Sequence, residues 1–136
     1  YDRRKNKMNF DLKLGDYIPN YTDHPFEDTT KDMQFLKEFF IKTPLIYLLR
    51  YDKNRKHLHV LIKQQQELVN ADGTVNTDFY GAAMYWLIFD DDGDLVKKYE
   101  LPKGKYKPRL HFTKDNVLIQ KNEKDATVVS FDVFRY

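Results

Sequence analysis

The sequence has 136 residues, of which 41% are hydrophobic and 15% aromatic, and its 23 basic and 21 acidic residues give a net charge of +2. This size suits one domain, and the apolar content suits a folded chain, which excludes an intrinsically disordered protein. A charge so near neutral gives no indication of a nucleic-acid partner, and we expect none. The absence of cysteine excludes disulfides and thiolate chemistry within this chain.

The two ends of the chain carry no targeting signal that can be read. No apolar run within the given sequence approaches the length of a membrane span, and the sequence contains no signal peptide. Because the first residue is Tyr and not Met, we expect the chain to be a processed or truncated part of a longer polypeptide. The sequence itself therefore does not fix the compartment.

The N-terminal third predicts a strand, a loop and a helix. Apolar and polar residues alternate over residues 8–14, as in a half-buried strand. A polar loop with two prolines then runs from Tyr17 to Asp28. Residues Thr29–Lys42 show the apolar spacing and N-terminal capping pattern of a helix, which Thr43-Pro44 closes. The competing prediction is a strand over Gln34–Ile41, which its aromatic content favours.

The rest of the chain predicts antiparallel hairpins joined by short polar turns. Turn-forming residues separate apolar, β-branched and aromatic runs, which are typical of strands. The predicted strands are Leu45–Tyr51, His57–Lys63, Gly81–Phe89, Leu95–Leu101, Arg109–Phe112, Val117–Gln120 and Thr127–Tyr136.

An aromatic–Asp pair followed by a short charged turn recurs along the chain, at Tyr1, Tyr51 and Phe89. The last two pairs are about one propeller blade apart, at ~40 residues per blade. We therefore predict a mostly β fold in which residues 1–136 are a single domain or a fragment: residues 15–43 are an insertion of loop plus helix, and residues 44–136 are the C-terminal blades of a partial β-propeller. Tyr1 is expected to contact missing N-terminal blades or another chain. A β-sandwich is the alternative, because it also contains short strands in this number.

Two polar clusters resemble metal sites but have simpler interpretations. The carboxylates of Asp90–Asp94 suit a hard cation, yet the run lacks the spacing and the final Glu of a calcium loop, so we predict a hairpin turn with Gly93 at positive φ. His57 and His59 share one face of a strand, and His111 would be a third zinc ligand. We expect this pair to face solvent or to pack between blades, and we predict no metal and no cofactor.

The best candidate for ligand binding is the predicted loop, which concentrates aromatic, carboxylate and imidazole groups. We assign Tyr21, Asp23 and His24 as ligand-binding residues suited to a sugar or a peptide, with a packed connector as the alternative. No catalytic residue is assigned, because the single Ser130 lies in the last predicted strand and no nucleophile motif occurs. Trp86 is expected in the core.

Several segments resemble one family. The run from Pro44 to Arg55 resembles the P-x-x-Y-x-x-(I/L)-x-Y-D-x-x-R blade of certain Bacteroidetes lipoproteins. The segments that resemble the following blade and the C-terminal strands are Trp86–Asp90, Lys98–Pro102, Val117–Ile119, Glu123–Asp125 and Val129–Phe134. The resemblance implies a six-bladed, TolB-like β-propeller of unknown function. It also implies an exported lipoprotein at the periplasm, outer membrane or cell surface, tethered through an anchor that precedes this chain.

These observations lead to one hypothesis and two alternatives. The leading hypothesis is a non-catalytic binding or scaffold propeller whose partner is a small molecule, a glycan or a protein. One alternative is a propeller enzyme, a lyase or hydrolase, with its site at the mouth of the channel. The other is a free-standing β-sandwich interaction domain, which would close its core within these residues.

Overall fold

The structure is a computed structural model. It describes residues 11–19, 21, 33–78 and 81–136, and every structural statement below concerns these residues. The described elements are one helix and seven strands: α1 Met33–Lys42, β1 Leu45–Asp52, β2 His57–Lys63, β3 Met84–Phe89, β4 Leu95–Leu101, β5 Tyr106–Phe112, β6 Val117–Lys121 and β7 Phe131–Phe134.

The strands form two antiparallel sheets. Sheet 1 has the order β1-β2-β3-β4, and sheet 2 has the order β5-β6-β7, so within each sheet consecutive strands pair with one another. This confirms the prediction of a mostly β chain with one helix. The helix over residues 33–42 is confirmed as well, and the competing strand over Gln34–Ile41 is wrong. The predicted start of the helix lies outside the described residues.

Aspartate side chains fix the turns of sheet 1. In the β1–β2 turn, Asp52 Oδ1 accepts the backbone N–H groups of Asn54 and Arg55, at 2.9 and 3.4 Å. In the β3–β4 turn, Asp90 Oδ1 accepts those of Asp92 and Asp94, at 3.0 and 2.9 Å. The same aspartate role in both turns gives a physical reason for the recurring aromatic–Asp pair. Both turns belong to sheet 1, so the pairs at Tyr51 and Phe89 do not mark two successive blades, and that interpretation of their spacing is wrong.

One apolar cluster lies between the two sheets. It contains the side chains of both sheets that face each other, including Leu61 and Trp86 from sheet 1 and Leu110 and Ile119 from sheet 2. All four are almost fully buried. We call this set cluster 1. Burial of this area from water holds the two sheets together.

A second apolar cluster covers the opposite face of sheet 1. Val60, Ile62, Leu87 and Phe89 pack there against residues of the N-terminal segment, and we call this set cluster 2. Strands β2 and β3 are therefore buried on both faces, which explains their nearly continuous apolar sequence.

The N-terminal segment corrects one prediction. Over the described residues of the predicted strand 8–14, no strand forms, and Leu14 starts a 3-10 turn that ends at Asp16. Leu14 and Ile18 then pack together in cluster 2, and Lys98 Nζ on β4 donates to Tyr17 O at 2.8 Å. The segment covers sheet 1 from outside and adds no strand to it. No helix in the described part of the chain is long and apolar enough to cross a membrane.

Candidate functional site

Of the three predicted ligand-binding residues, the structure describes Tyr21 alone. Tyr21 is half-buried and packs against cluster 2, and its backbone N–H donates to Ile18 O at 3.4 Å. Asp23 and His24 lie outside the described residues. Tyr21 thus has a packing role, and its role in ligand binding stays a prediction.

The acidic run Asp90–Asp94 is a hairpin turn, as predicted. Gly93 has a φ of 85°, and its N–H donates to Asp90 O at 3.1 Å. Only glycine adopts this φ without steric cost. Asp91 Oδ1 accepts the hydroxyl of Tyr51 at 2.8 Å, which links this turn to the end of β1. Two of the four carboxylates are therefore engaged in holding the turn and the neighbouring strand.

His57 and His59 lie on one face of β2, and that face packs between the two sheets. His59 is fully buried, with its ring 4.7 Å from that of Phe112 on β5. The inter-sheet position confirms the packing interpretation of this face. His111, the third residue considered for a zinc site, instead lies against Phe131 on the other face of sheet 2, with ring centroids 5.1 Å apart.

A directed chain of hydrogen bonds runs through His59. Trp86 Nε1–H donates to His59 Nδ1 at 3.1 Å, so the neutral ring carries its proton on Nε2. His59 Nε2–H then donates to the Tyr136 hydroxyl at 3.2 Å, and that hydroxyl donates to His57 Nδ1 at 3.0 Å. These hydrogen bonds tie Tyr136, the last residue of the sequence, to sheet 1. They also use both nitrogens of His59, which leaves neither for a metal ion.

The surroundings of His59 favour its neutral form. Burial is the largest cause that lowers the pKa of His59, to about 4, and the nearby His57 and Arg55 lower it further against the opposing effect of Asp52. Burial also raises the pKa of Tyr136 to about 12. Both groups are therefore neutral at physiological pH, as the hydrogen-bond chain requires.

An ion pair beside these hydrogen bonds connects the two sheets. Asp52 is almost fully buried, and its Oδ2 accepts Arg55 Nη1 at 2.6 Å. The same guanidinium donates across the gap to Thr113 O and Lys114 O in the β5–β6 turn, at 3.1 and 3.4 Å. A planar guanidinium can make these bonds at once because its donors form a fixed fork. We call Asp52 and Arg55 the inter-sheet clamp.

A buried lysine lies at the opposite end of β2. Lys63 Nζ donates to Ile41 O at 3.0 Å and to Thr43 O at 2.9 Å, at the C-terminal end of α1. Burial lowers its pKa to about 8. Within the described ranges, no carboxylate pairs with it. Its cation instead meets the partial negative charge of the helix end, which joins α1 to sheet 1.

Taken together, these groups form a structural network that joins parts of the fold. In the described part of the chain, no buried side-chain nitrogen or oxygen lacks a hydrogen-bond partner, and no group of three potential metal ligands occurs. Sequence reasoning missed the roles of Lys63 and Tyr136. Neither has a local signal, because each depends on a contact between residues more than 20 positions apart.

Comparisons with known proteins give one structural relative. No family model matches the chain. No curated protein is significantly similar to it. Among solved structures, the chain is similar to a member of the DUF4221 family from Bacteroides vulgatus, with a TM-score of 0.54 and 14% sequence identity.

The structural match covers most of this chain but a minor part of the other protein. The match covers 73% of this chain and 30% of the other, so the chain spans less than a third of that protein. At this identity it is evidence of a shared fold only. That protein comes from a Bacteroides species, and the sequence motifs described above likewise resemble those of Bacteroidetes proteins.

Proposed function

We propose that this chain is a non-catalytic part of a β-propeller in an exported lipoprotein, where it takes part in binding a small molecule, glycan or protein, or serves as a scaffold. One observation carries this proposal: the buried polar groups in the described residues are used to join elements. Asp52 holds Arg55, which bonds Thr113 of the other sheet; His59 bonds the C-terminal Tyr136; and Lys63 bonds the end of α1. A catalytic carboxylate, imidazole or amine would instead be directed at an open cleft.

The stacking of the sheets supports the propeller. Arg50 on β1 donates to Leu110 O on β5 at 2.5 Å, and Arg55 reaches Thr113 beyond the end of β5. Of these two contacts, the one made by the later residue on the β1 side is also made to the later residue on the β5 side. The two strands therefore run in the same direction, with their sheets face to face. Successive blades of a propeller repeat such a meander around an axis.

The second cluster favours a stack of layers over a sandwich. A two-layer sandwich alternates inward apolar and outward polar residues along each strand, so its outer faces are solvated. Sheet 1 instead carries cluster 1 on one face and cluster 2 on the other. Such burial on both faces suits a sheet inside a larger stack.

The mass of the natural polypeptide tests the architecture. The chain has a mass of 16.4 kDa for 136 residues, whereas a six-bladed propeller at ~40 residues per blade requires ~240 residues, or roughly 29 kDa. We expect intact-mass spectrometry of the protein from its natural source to give a mass of roughly 30 kDa or more. A natural polypeptide near 16.4 kDa would contradict the propeller and favour the free-standing domain.

Binding is tested on the natural polypeptide with the predicted loop altered. A panel of soluble oligosaccharides and peptides is screened by thermal shift, and Asp23→Asn and His24→Gln are expected to abolish the shift given by any hit. Asp92→Asn, in the β3–β4 turn, is the matched control and should keep it. Cleavage of a panel member, detected by mass spectrometry, would replace the binding role with that of a hydrolase or lyase.

A further inference from the structure

The outer face of sheet 2, which points away from sheet 1, combines a basic strand with apolar ones. Arg109 and His111 flank the buried Leu110, so they lie on the outer side of β5. On β7, Phe131 and Val133 are 38% and 55% exposed, while Phe134 packs inward on cluster 1. We call the exposed side the outer face.

The register places these residues in one continuous surface. His111 pairs with Leu118 on β6, and Leu118 pairs with Val133 on β7, which makes one row across the three strands. The ring of Phe131 meets that of His111 edge to face. The outer face is thus an ordered apolar patch with the basic side chains of Lys107 and Arg109 along one side, a combination typical of an interaction surface.

In sheet 1, the face that corresponds to the outer face is covered by sheet 2. The cluster 1 face of sheet 1 carries Leu61 on its second strand and Trp86 and Ile88 on its third, and sheet 2 packs on this face. Sheet 2 carries Leu118 on its second strand and Phe131 and Val133 on its third. Because the strand order and the direction of the first strand agree, the outer face is the equivalent of the packed face of sheet 1.

Charge specifies what can cover the outer face. The outward positions of β5, β6 and β7 are Lys107, Arg109, His111, Leu118, Gln120, Phe131 and Val133, and none of them is acidic. Arg109 has no ion pair within the part of the chain that the structure describes. A second copy of the same face would bring like charges together, which disfavours self-association.

We propose that the outer face binds a third β-sheet that carries carboxylates on the strand facing Arg109 and apolar side chains opposite Phe131 and Val133. This inference rests on the proposed propeller, and it names the chemistry of the next sheet in the stack. The sheet comes from the same natural polypeptide, outside residues 1–136. A segment of another protein with the same chemistry is an alternative that the test separates.

Cross-linking identifies the occupant. Residues 1–136 contain no cysteine, so in the natural polypeptide, with every cysteine outside these residues replaced by Ser, Val133→Cys is labelled with benzophenone maleimide and irradiated. We expect a cross-link to an Asp- or Glu-containing segment of the same polypeptide. Val96→Cys, on the exposed side of β4, is the control and should not give this product. A cross-link to another protein, or none at all, would overturn the proposal.

Charge reversal gives an independent measurement. In the natural polypeptide at low salt, Arg109→Glu is expected to lower the Tm by about 4 °C more than Lys53→Glu in the β1–β2 turn, with a smaller difference in 1 M salt.

The two results distinguish this inference from the proposal it rests on. A natural mass near 16.4 kDa contradicts the propeller itself. If the natural mass is larger but Arg109→Glu and Lys53→Glu lower the Tm equally, the propeller proposal stands and the proposal of an acidic third sheet is contradicted.

Discussion

At the residue scale, His59 makes the stability of the fold depend on pH. The folded chain keeps this ring neutral down to about pH 4, whereas the unfolded chain takes up a proton near its ordinary pKa of 6.5. Stability is therefore fully present above pH 6.5 and decreases as the pH falls to 4, by on the order of 3 kcal/mol at ~1.4 kcal/mol per pKa unit.

Urea unfolding between pH 4 and 7 measures this dependence. His59→Gln should remove most of the slope, since the amide does not titrate but its oxygen can still accept the Trp86 N–H. His111→Gln, on the outer face of sheet 2, is the control and should keep the slope. An unchanged slope in His59→Gln would show that other groups cause the pH dependence.

A second residue-scale prediction concerns Lys56, the one non-glycine residue at positive φ in the described structure, with a φ of 56°. A side chain is strained there, so Lys56→Gly should stabilise the protein by about 0.5–1 kcal/mol. Lys53→Gly, in the same turn at ordinary φ, should destabilise it, because it only adds freedom to the unfolded chain. Chemical denaturation compares the two, and equal effects would exclude strain at Lys56.

At the element scale, the strands of both sheets could be predicted but their inter-sheet contacts could not. Local alternation and turn residues define β1 to β6, since these signals act over a few positions. Over the described residues 11–14 the alternation misled, because Leu14 and Ile18 also have a four-residue spacing, and packing on cluster 2 selected a 3-10 turn at Leu14. The hydrogen-bond chain from Trp86 to His57 depends on how the sheets stack, which no local pattern encodes.

The inter-sheet clamp predicts how strongly the two sheets depend on one guanidinium. Arg55→Ala would leave the buried Asp52 carboxylate without its ion pair, so we expect a loss of about 3 kcal/mol in the free energy of unfolding. Arg55→Lys should restore only part of it, because an ammonium cannot reach Asp52, Thr113 and Lys114 together. Lys53→Ala, next to Asp52 in the sequence, is the control. A loss below ~1 kcal/mol would show that the clamp acts as a surface ion pair.

Lys63 gives a second element-scale prediction, at alkaline pH. The folded chain loses the Lys63 proton near pH 8 and the unfolded chain near 10.5, so stability should rise as the pH increases through this window. Lys63→Met should remove the rise, and Lys53→Met should keep it. Thermal unfolding from pH 7.5 to 10 measures both. A rise that persists without the Lys63 amine would contradict the assignment.

At the scale of the whole molecule, the single Trp86 reports on whether the two sheets unfold together. Its ring lies in cluster 1 and contacts Phe134 of sheet 2 at a centroid distance of 5.0 Å. If cluster 1 makes the sheets one cooperative unit, the Trp fluorescence and far-UV circular dichroism transitions should coincide.

Phe134→Ala should then shift both transitions equally, by roughly 2–3 kcal/mol, because the cavity it leaves is shared by the two sheets. Phe131→Ala removes the same ring from the outer face and should have a much smaller effect on the isolated chain. Separate fluorescence and dichroism midpoints would mean that sheet 2 unfolds before sheet 1. Sheet 2 would then depend on the proposed third sheet for its stability, and Phe131→Ala would be the more harmful variant in the natural polypeptide.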